Sequence, residues 1–259
     1  MGNTHLAETS SVQSVDRALA ILEILAQRGE SGVTEIAADL GVHKSTASRL
    51  MSALLNRGLV DQVSDRGRYR LGLGLVRLAG TVTSSLDAVS GSRAVTRALA
   101  SEVGETVNIA VLSDNRVLYV DQVAGPSMVS MRSWLGQNVP THCTATGKVL
   151  TAWLDKPERI AARPTSWKKL APNTITSVDA LEKELEQVRK QGFAVANQEM
   201  EPDFIAIAAP IRDEHGEVTA ALVISGPASR IKPKDFESLG HIVKLSASKL
   251  SGNPNYWRE

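Results

Sequence analysis

Residues 32–50, with the sequence GVTEIAADLGVHKSTASRL, decide the fold of the first part of the chain. Ile36 and Leu40 are four residues apart, which places them on one apolar face of a short helix. Gly41 then supplies the positive φ angle of a tight turn, and Val42 fills the corner before the next helix begins. This pattern predicts a helix-turn-helix.

Two short extended runs follow this element and predict a β-hairpin. Leu59–Val63 and Arg68–Leu71 flank Ser64–Gly67, a turn that contains Asp and Gly. A hairpin in this place is the wing of a winged helix-turn-helix, which we place at residues 13–75 after a polar, disordered tail at residues 1–12. The predicted helices run from a cap at Ser14 or Asp16 to Gln27, from Val33 to Leu40, and from Lys44 to Arg57.

Small polar and basic side chains face outward from the third helix and predict a DNA-reading surface. Small side chains let a helix end enter the major groove, where hydroxyls bond phosphates and Arg reads guanine. Between His43 and Arg77 the chain has seven Lys and Arg against two Asp, although its overall net charge is +1. The alternative is the solvated face of an ordinary three-helix unit. The candidate DNA-binding residues are Thr34, Lys44, Ser45, Thr46, Ser48 and Arg49 in the helices, and Arg66 and Arg68 in the wing.

The second half of the chain has a different pattern. We predict helical structure from Leu73 to about Ala100, with a weak break near Ser90-Gly91. We place a linker helix at residues 76–91 and a separate domain at residues 92–252. Alternating strand-like runs with intervening helices predict an α+β fold with a mostly antiparallel sheet. The predicted strands are Thr106–Leu112, Val117–Val123, Met128–Arg132, Phe193–Asn197, Phe204–Arg212 and Val218–Ser225, and the predicted helices are Ala145–Leu154, Val178–Gln191 and Pro233–Leu250.

The composition excludes several classes of protein. Apolar residues make up 42% of the chain and charged residues 22%, which is typical of a globular protein. The single Cys143 excludes a disulfide framework and fits a reducing compartment, the cytoplasm. No stretch of about 18 apolar residues predicts a membrane helix, and no motif predicts a cofactor or a metal.

An enzymatic function is disfavoured by the residues that would have to carry it. His142 and Cys143 are adjacent, and adjacent residues of an extended chain point to opposite sides, which makes a poor base–nucleophile pair. The chain also lacks a Gly-x-Ser-x-Gly elbow and a phosphate-binding glycine loop. Cys143 is either a redox sensor or a buried, inert thiol.

Eight blocks form an ordered set along the chain: Val15–Leu22, Ser45–Leu50, Arg68–Gly72, Val139–Lys148, Asn173–Thr176, Gln187–Phe193, Ile207–Ile211 and Val223–Pro227. Together they resemble the IclR family of bacterial transcriptional regulators. The resemblance implies a winged helix-turn-helix, a linker helix and a GAF-like effector-binding domain. It further implies a homodimer, often paired into a tetramer, that binds double-stranded DNA at a palindromic operator and controls a catabolic or biosynthetic operon in response to a small organic molecule, commonly an acid. In this family pattern Arg17 approaches DNA, whereas a surface pair with Asp16 or Glu23 is the alternative.

The resemblance places an effector pocket between the sheet and the helix that begins near Thr144. The N–H groups at a helix N-terminus favour a carboxylate or phosphate, and the Thr144 and Thr146 hydroxyls add further partners. The alternative for Thr144 is that it only caps the helix. The candidate residues of this turn are Thr144, Ala145, Thr146 and Gly147.

Some positions depart from relatives that bind small oxo-acids. Ala196 stands where an Asp contacts the ligand, Ala206 where Cys is frequent, and Val223 where Ser is frequent, whereas Ser225 keeps a hydroxyl and Asp203 replaces a Gly. We therefore expect a roomier, more apolar pocket than one for glyoxylate or pyruvate. Met128, Met131, Trp134 and Leu135 are further candidates to line it, with plain core or interface positions as the alternative.

The most specific prediction from these observations is a cytoplasmic, ligand-responsive transcriptional regulator. We expect a repressor that its effector releases from the operator. The alternative is a ligand-binding sensor or scaffold that does not bind an operator.

Overall fold

A computed structural model describes residues 12–63, 67–84, 91–126 and 133–252 of the chain. The chain divides into two compact units, residues 1–84 and residues 85–259, each of which is described by itself. Arg66, Met128, Met131 and the predicted strand Met128–Arg132 lie outside the described residues, as does all but the last residue of the predicted N-terminal tail.

The first unit is the predicted winged helix-turn-helix. Its three-stranded sheet has the order β1-β3-β2, and β1 is a strand that the sequence pattern did not predict. Its core is apolar and centres on Ile21, Leu25, Ile36 and Met51. The elements are α1 (Gln13–Arg28), β1 (Glu30–Gly32), α2 (Val33–Asp39), α3 (Lys44–Asn56), β2 (Val60–Gln62), β3 (Arg68–Leu71) and α4 (Gly74–Ser84).

The turn between α2 and α3 has the predicted geometry. Gly41 has a φ of 62°, and the Val42 N–H donates to the Ala37 carbonyl at 3.0 Å. The cap predicted for α1 is wrong, because the residue before the helix is Val12 and no side chain caps it. Tertiary packing of Ile21 and Leu25 therefore stabilises α1 in place of a local hydrogen bond.

Two glycines place the beginning of α4 directly against the end of α3. The Gly74 N–H donates to the Gly58 carbonyl at 2.8 Å, and the Gly72 N–H donates to the Leu59 carbonyl at 2.9 Å. A Cβ atom on Gly72 or Gly74 would overlap the Gly58 carbonyl, so both positions require glycine. Backbone hydrogen bonds thus hold the residues at the start of α4 against the residues that follow α3.

The second unit is built on a six-stranded antiparallel sheet with the order β6-β5-β4-β9-β8-β7, which confirms the predicted α+β class. The turn between β4 and β5 is tight, with positive φ at Asp114 and Asn115. Two short elements, β6 and α7, are additions to the prediction. The elements are α5 (Arg93–Val103), β4 (Thr106–Ser113), β5 (Arg116–Val123), β6 (Asn138–Val139), α6 (Ala145–Ala152), α7 (Lys156–Ala161), α8 (Val178–Gln191), β7 (Ala194–Asn197), β8 (Phe204–Arg212), β9 (Val218–Pro227) and α9 (Phe236–Ser248), the last preceded by a short 3-10 turn at Pro233–Asp235.

Each face of this sheet carries its own core. Side chains of β8 point alternately to the two faces of the sheet. Ile205 and Ile207 lie in one core, with Leu99 of α5 and Val243 of α9. The residues between them lie in the second core, with Val149 of α6, Leu185 of α8 and Val223 of β9. That second face carries the candidate effector residues of the sheet.

Candidate DNA-binding and effector sites

The recognition helix α3 separates its polar and apolar residues cleanly. Ala47, Met51 and Leu54 are buried on the inner side. The candidate DNA-contacting side chains on the outer side are exposed, apart from the half-buried Thr46, and are Lys44, Ser45, Ser48 and Arg49. The outer face of the first two turns therefore presents two hydroxyls and two cations to solvent.

Arg17 of α1 lies beside the helix-turn-helix. A groove of about 480 Å³ brings its side chain together with Thr46 and with the backbone turn around Gly41. Among the described residues Arg17 forms no ion pair, so the pairing with Asp16 or Glu23 weighed from the sequence is absent there. The groove also contains His43, a residue that the sequence argument missed although it directly precedes the recognition helix.

Arg68 is engaged within the first unit. Its guanidinium donates to the Glu30 carbonyl at 2.9 Å and lies 3.8 Å from the Glu30 carboxylate and 3.6 Å from the Glu35 carboxylate. The Gly32 backbone N–H and then Arg68 hold the pKa of Glu35 below its usual value. These contacts fasten β3 to β1 and to the start of α2, where Thr34 is exposed. The geometry therefore favours a structural role for Arg68.

A small cavity lies between the second unit's sheet and the turn before α6. Its volume is about 20 Å³. Four residues predicted for the pocket line it: Thr144, Ala196, Ala206 and Trp134. Cys143, which the sequence places next to the predicted pocket, also lines it. The sequence argument missed the other wall residues, which are Tyr119, Glu199, Met200 and Phe204. We call these nine residues the effector cavity.

Aromatic side chains cover the small residues of the effector cavity. The Trp134 ring centroid lies 6.0 Å from that of Tyr119 and 6.1 Å from that of Phe204. The three rings span the space above Ala196 and Ala206, which explains why small side chains do not produce a large void. The effector cavity is apolar, as predicted. The additional space expected from its small side chains is occupied by the rings of Tyr119, Trp134 and Phe204.

The remaining predicted effector residues lie around the cavity and not in its wall. Ala145, Thr146 and Gly147 are buried in the first turn of α6, and the Thr146 hydroxyl lies 3.3 Å from the Tyr119 hydroxyl. Val223 is buried in the same core. Leu135 is 52% exposed.

Ser225 belongs to a row that crosses four strands on the cavity face. Ala196 pairs with Ala206, Ala206 with Ser225, and Ser225 with Thr106. The Ser225 and Thr106 hydroxyls and the Asn108 amide are buried and have no hydrogen-bond partner among the described residues. The polar end of this row offers hydrogen bonds to a molecule that reaches it.

The Thr144 hydroxyl is occupied by helix capping. It accepts the Gly147 N–H at 3.1 Å and donates to the Pro140 carbonyl at 2.8 Å. The structure therefore has the capping geometry that is the alternative for Thr144. Its hydroxyl fixes the shape of the turn and is already engaged in two hydrogen bonds.

Lys148 forms a buried charge cluster that the sequence did not reveal. It is fully buried, and its Nζ atom lies 2.8 Å from a carboxylate oxygen of Glu184, 2.8 Å from one of Glu199 and 2.7 Å from the Val195 carbonyl. Burial raises the pKa of Glu199, and the Lys148 charge opposes this rise. The second oxygen of Glu199 is buried without a partner among the described residues.

Cys143 has the properties of an inert thiol. It is fully buried, and burial raises the pKa of its thiol to about 12, so the thiol stays protonated near neutral pH. Within the described ranges there is no cluster of His, Cys, Asp and Glu that would hold a metal ion. Nor does any helix there have the length and apolarity needed to cross a membrane.

Comparison with known proteins identifies the family. The family model described as IclR helix-turn-helix domain matches residues 14–64, and the model described as Bacterial transcriptional regulator IclR C-terminal matches residues 80–252. The chain belongs to the IclR family. It is a helix-turn-helix transcriptional regulator with a ligand-binding C-terminal domain, in a family of regulators and not of enzymes.

IclR-family relatives align with nearly the whole chain. It is 31% identical to the transcriptional regulator KdgR of Escherichia coli, over 99% of this chain and 98% of that protein. It is 33% identical to XynR of the same organism, over 93% and 96% of the two chains. It is also 32% identical to the transcriptional repressor AllR of E. coli, over 96% and 93%.

Solved IclR-family structures share the fold. An IclR regulator from Alicyclobacillus acidocaldarius superposes with a TM-score of 0.80 at 28% identity and covers 93% of this chain and 98% of its own. An IclR homologue from Microbacterium hydrocarbonoxydans, solved with 4-hydroxybenzoate, superposes with a TM-score of 0.81 at 24% identity, over 94% and 98%.

Proposed function

We propose that this chain represses an operon by binding a palindromic operator as a homodimer, and that a small organic effector releases it. The single observation that carries the proposal is the exposed outer face of the first two turns of α3, where Lys44, Ser45, Ser48 and Arg49 lie outside the domain's core and Arg17 lies nearby. A two-fold pair of such helices reads two half-sites about one helical turn apart. Pairing of two dimers and a cytoplasmic location belong to the same proposal.

The DNA-binding residues that we propose are Arg17, Thr34, Lys44, Ser45, Thr46, Ser48 and Arg49, together with the wing residue Arg66, which lies outside the described residues. Five of them are exposed, and Arg17 and Thr46 are half-buried. In this proposal the cations neutralise phosphates and Arg49 reads a base edge. We propose residues 13–75 as the DNA-binding domain, residues 76–91 as the linker and residues 92–252 as the effector domain.

We infer that the effector is an organic acid or related compound with an aromatic or alkyl body. A cavity of about 20 Å³ holds little more than one water molecule, so the effector has to separate the rings of Tyr119, Trp134 and Phe204. A flat apolar body replaces these ring contacts, whereas glyoxylate does not. The Microbacterium homologue was solved with 4-hydroxybenzoate, an aromatic acid of this class.

The test is a gel shift with the DNA upstream of the protein's own gene, at about 50 and about 200 mM salt. Selective binding that weakens steeply at the higher salt, and that one compound from a panel of aromatic acids, aliphatic acids and amides abolishes, supports a repressor. Calorimetry with the same panel identifies the ligand class. Tight binding of glyoxylate or pyruvate alone contradicts the proposed effector class.

The other candidate function is a sensor or scaffold that does not bind an operator. Two exposed cations on one face of α3 argue against it, because this arrangement favours contact with DNA phosphates. Ligand binding by calorimetry without any selective gel shift at either salt concentration favours this candidate.

A further inference from the structure

The second unit has another cleft, on the far side of the turn that precedes α6. Its volume is about 440 Å³, and it lies between the β4–β5 turn, residues 140–142 and residues 161–170. His142 lines this cleft, whereas the next residue, Cys143, lines the effector cavity. We call it the β4–β5 cleft. It shares no wall residue with the effector cavity or with the DNA-binding face.

Buried nitrogen atoms without partners lie in the wall of the β4–β5 cleft. His142 is 3% exposed, and neither of its ring nitrogens has a hydrogen-bond partner among the described residues. One guanidinium N–H of Arg163 donates a hydrogen bond to the Glu182 carboxylate at 2.7 Å. The Nε atom of Arg163 is buried and has no partner in the described part of the chain. Buried polar groups are nearly always satisfied, so unpartnered nitrogens from two separate segments indicate a site for a molecule that accepts hydrogen bonds.

The His142 ring is held in place by its surroundings. Its centroid lies 5.6 Å from that of Trp167 in an edge-on arrangement. Burial lowers the pKa of His142, so the ring is neutral near pH 7 and offers one N–H donor. Because this donor is held in place at the base of the cleft, it favours a ligand that has an oxygen atom at that position.

The charges around the β4–β5 cleft favour an anion. Arg116, Arg163 and Lys168 line it together with Asp114. Because Arg163 is ion-paired with Glu182, the excess positive charge comes from Arg116 and Lys168. Arg116 and Lys168 are exposed, so both side chains are able to reach a ligand at the rim of the cleft. Guanidinium groups form paired hydrogen bonds with the oxygens of carboxylates and phosphates.

We propose that the β4–β5 cleft is a second ligand site, which binds the phosphate or carboxylate group of a small metabolite. The His142 ring and Arg163 Nε hold the oxyanion at the base, and Arg116 and Lys168 neutralise its charge at the rim. The site is independent of operator binding and of the effector cavity.

The test is calorimetry of the full chain with inorganic phosphate and, separately, with citrate, at constant ionic strength. We expect binding of at least one anion. The anion with the higher affinity shows whether the site prefers a phosphate or a carboxylate group. The double variant Arg116→Gln with Lys168→Gln changes only exposed side chains and should weaken binding by about tenfold or more. His142→Phe keeps a ring against Trp167 but removes both nitrogens, and should also weaken binding severalfold.

The matched control removes two exposed cations elsewhere in the same unit, by Lys183→Gln with Lys234→Gln. This control should bind within about twofold of wild type, because it alters net charge equally without touching the cleft. Thermal melts establish that each variant is folded. The proposal is overturned if neither anion binds at about 10 mM, or if the cleft variants and the control weaken binding equally.

Discussion

The recognition face of α3 leaves its polar side chains exposed, whereas the effector region of the second unit buries its polar side chains. Arg49 and Lys44 make no contribution to the core of the first unit. Lys148, by contrast, is fully buried and ion-paired to two carboxylates. We therefore expect substitutions on the exposed face of α3 to alter DNA binding without unfolding the protein, and polar substitutions near the effector cavity to change stability as well. The predictions below test that contrast.

The largest effect is expected from Lys148→Met. The substitution leaves the buried Glu199 without its cation, and breaking one partner of a buried pair costs about 3–5 kcal/mol of unfolding free energy. Urea denaturation of the second unit measures the loss. Adding Glu199→Gln should restore part of it, because the uncompensated charge is then removed. A stability within about 1 kcal/mol of wild type for Lys148→Met would show that the cluster is not a real stabilising pair.

The next effect is expected from Arg49→Ala. Loss of a base contact should weaken operator binding by about 1–3 kcal/mol, roughly ten- to a hundredfold, with an unchanged melting curve because Arg49 is exposed. Quantitative gel shifts measure the affinity. Arg97→Ala, which removes an exposed Arg from α5, is the control and should bind as wild type. Equal affinities for the two variants would argue against α3 as the recognition helix.

A smaller effect is expected from Ala206→Val. Two added methyl groups in the effector cavity should reduce effector affinity about tenfold, while overpacking costs about 1–2 kcal/mol of stability. Ala209→Val, on the opposite face of the same strand, is the matched control for overpacking. Calorimetry distinguishes them, since only the Ala206 variant should lose effector affinity. If both lose it equally, the cavity is not the effector site.

The smallest effect is expected from the Cys143 thiol and appears only in alkali. Its pKa of about 12 in the folded chain is above the unfolded value of about 8.5, so the unfolded state loses its proton first as the pH rises. The thiol's contribution to stability is fully present below pH 8.5 and falls by about 1 kcal/mol by pH 9.5. Cys143→Ala should lack this loss of stability when the urea midpoints of the two proteins are compared at about pH 8.5 and about pH 9.5. Rapid alkylation of the folded wild type at pH 8 would instead indicate a reactive thiol.

The contrast also explains which features the sequence predicted. The face of α3 was predictable because exposure follows the helical period, and β8 because its long apolar run has strand length. The short elements β1, β6 and α7 were missed because two to six residues are too few for a period to show. The cap predicted at Ser14 or Asp16 was wrong because packing of α1 overrode local hydrogen bonding.

The wall of the effector cavity was only partly predictable. Ala196 and Ala206 were identified from a family resemblance, and strand pairing then brings them together. Glu199 was missed because its partner Lys148 is 51 residues away, a distance at which no local pattern connects two side chains. Phe204 was missed because its role depends on Trp134 from another segment.

The glycine contact at the beginning of α4 has a mechanical consequence. Since Gly72 and Gly74 lie directly on the Gly58 carbonyl, no side chain separates α4 from the end of the recognition helix. A side chain at either position would displace the Gly58 backbone, so crowding at the start of α4 is transmitted directly to the residues that follow α3.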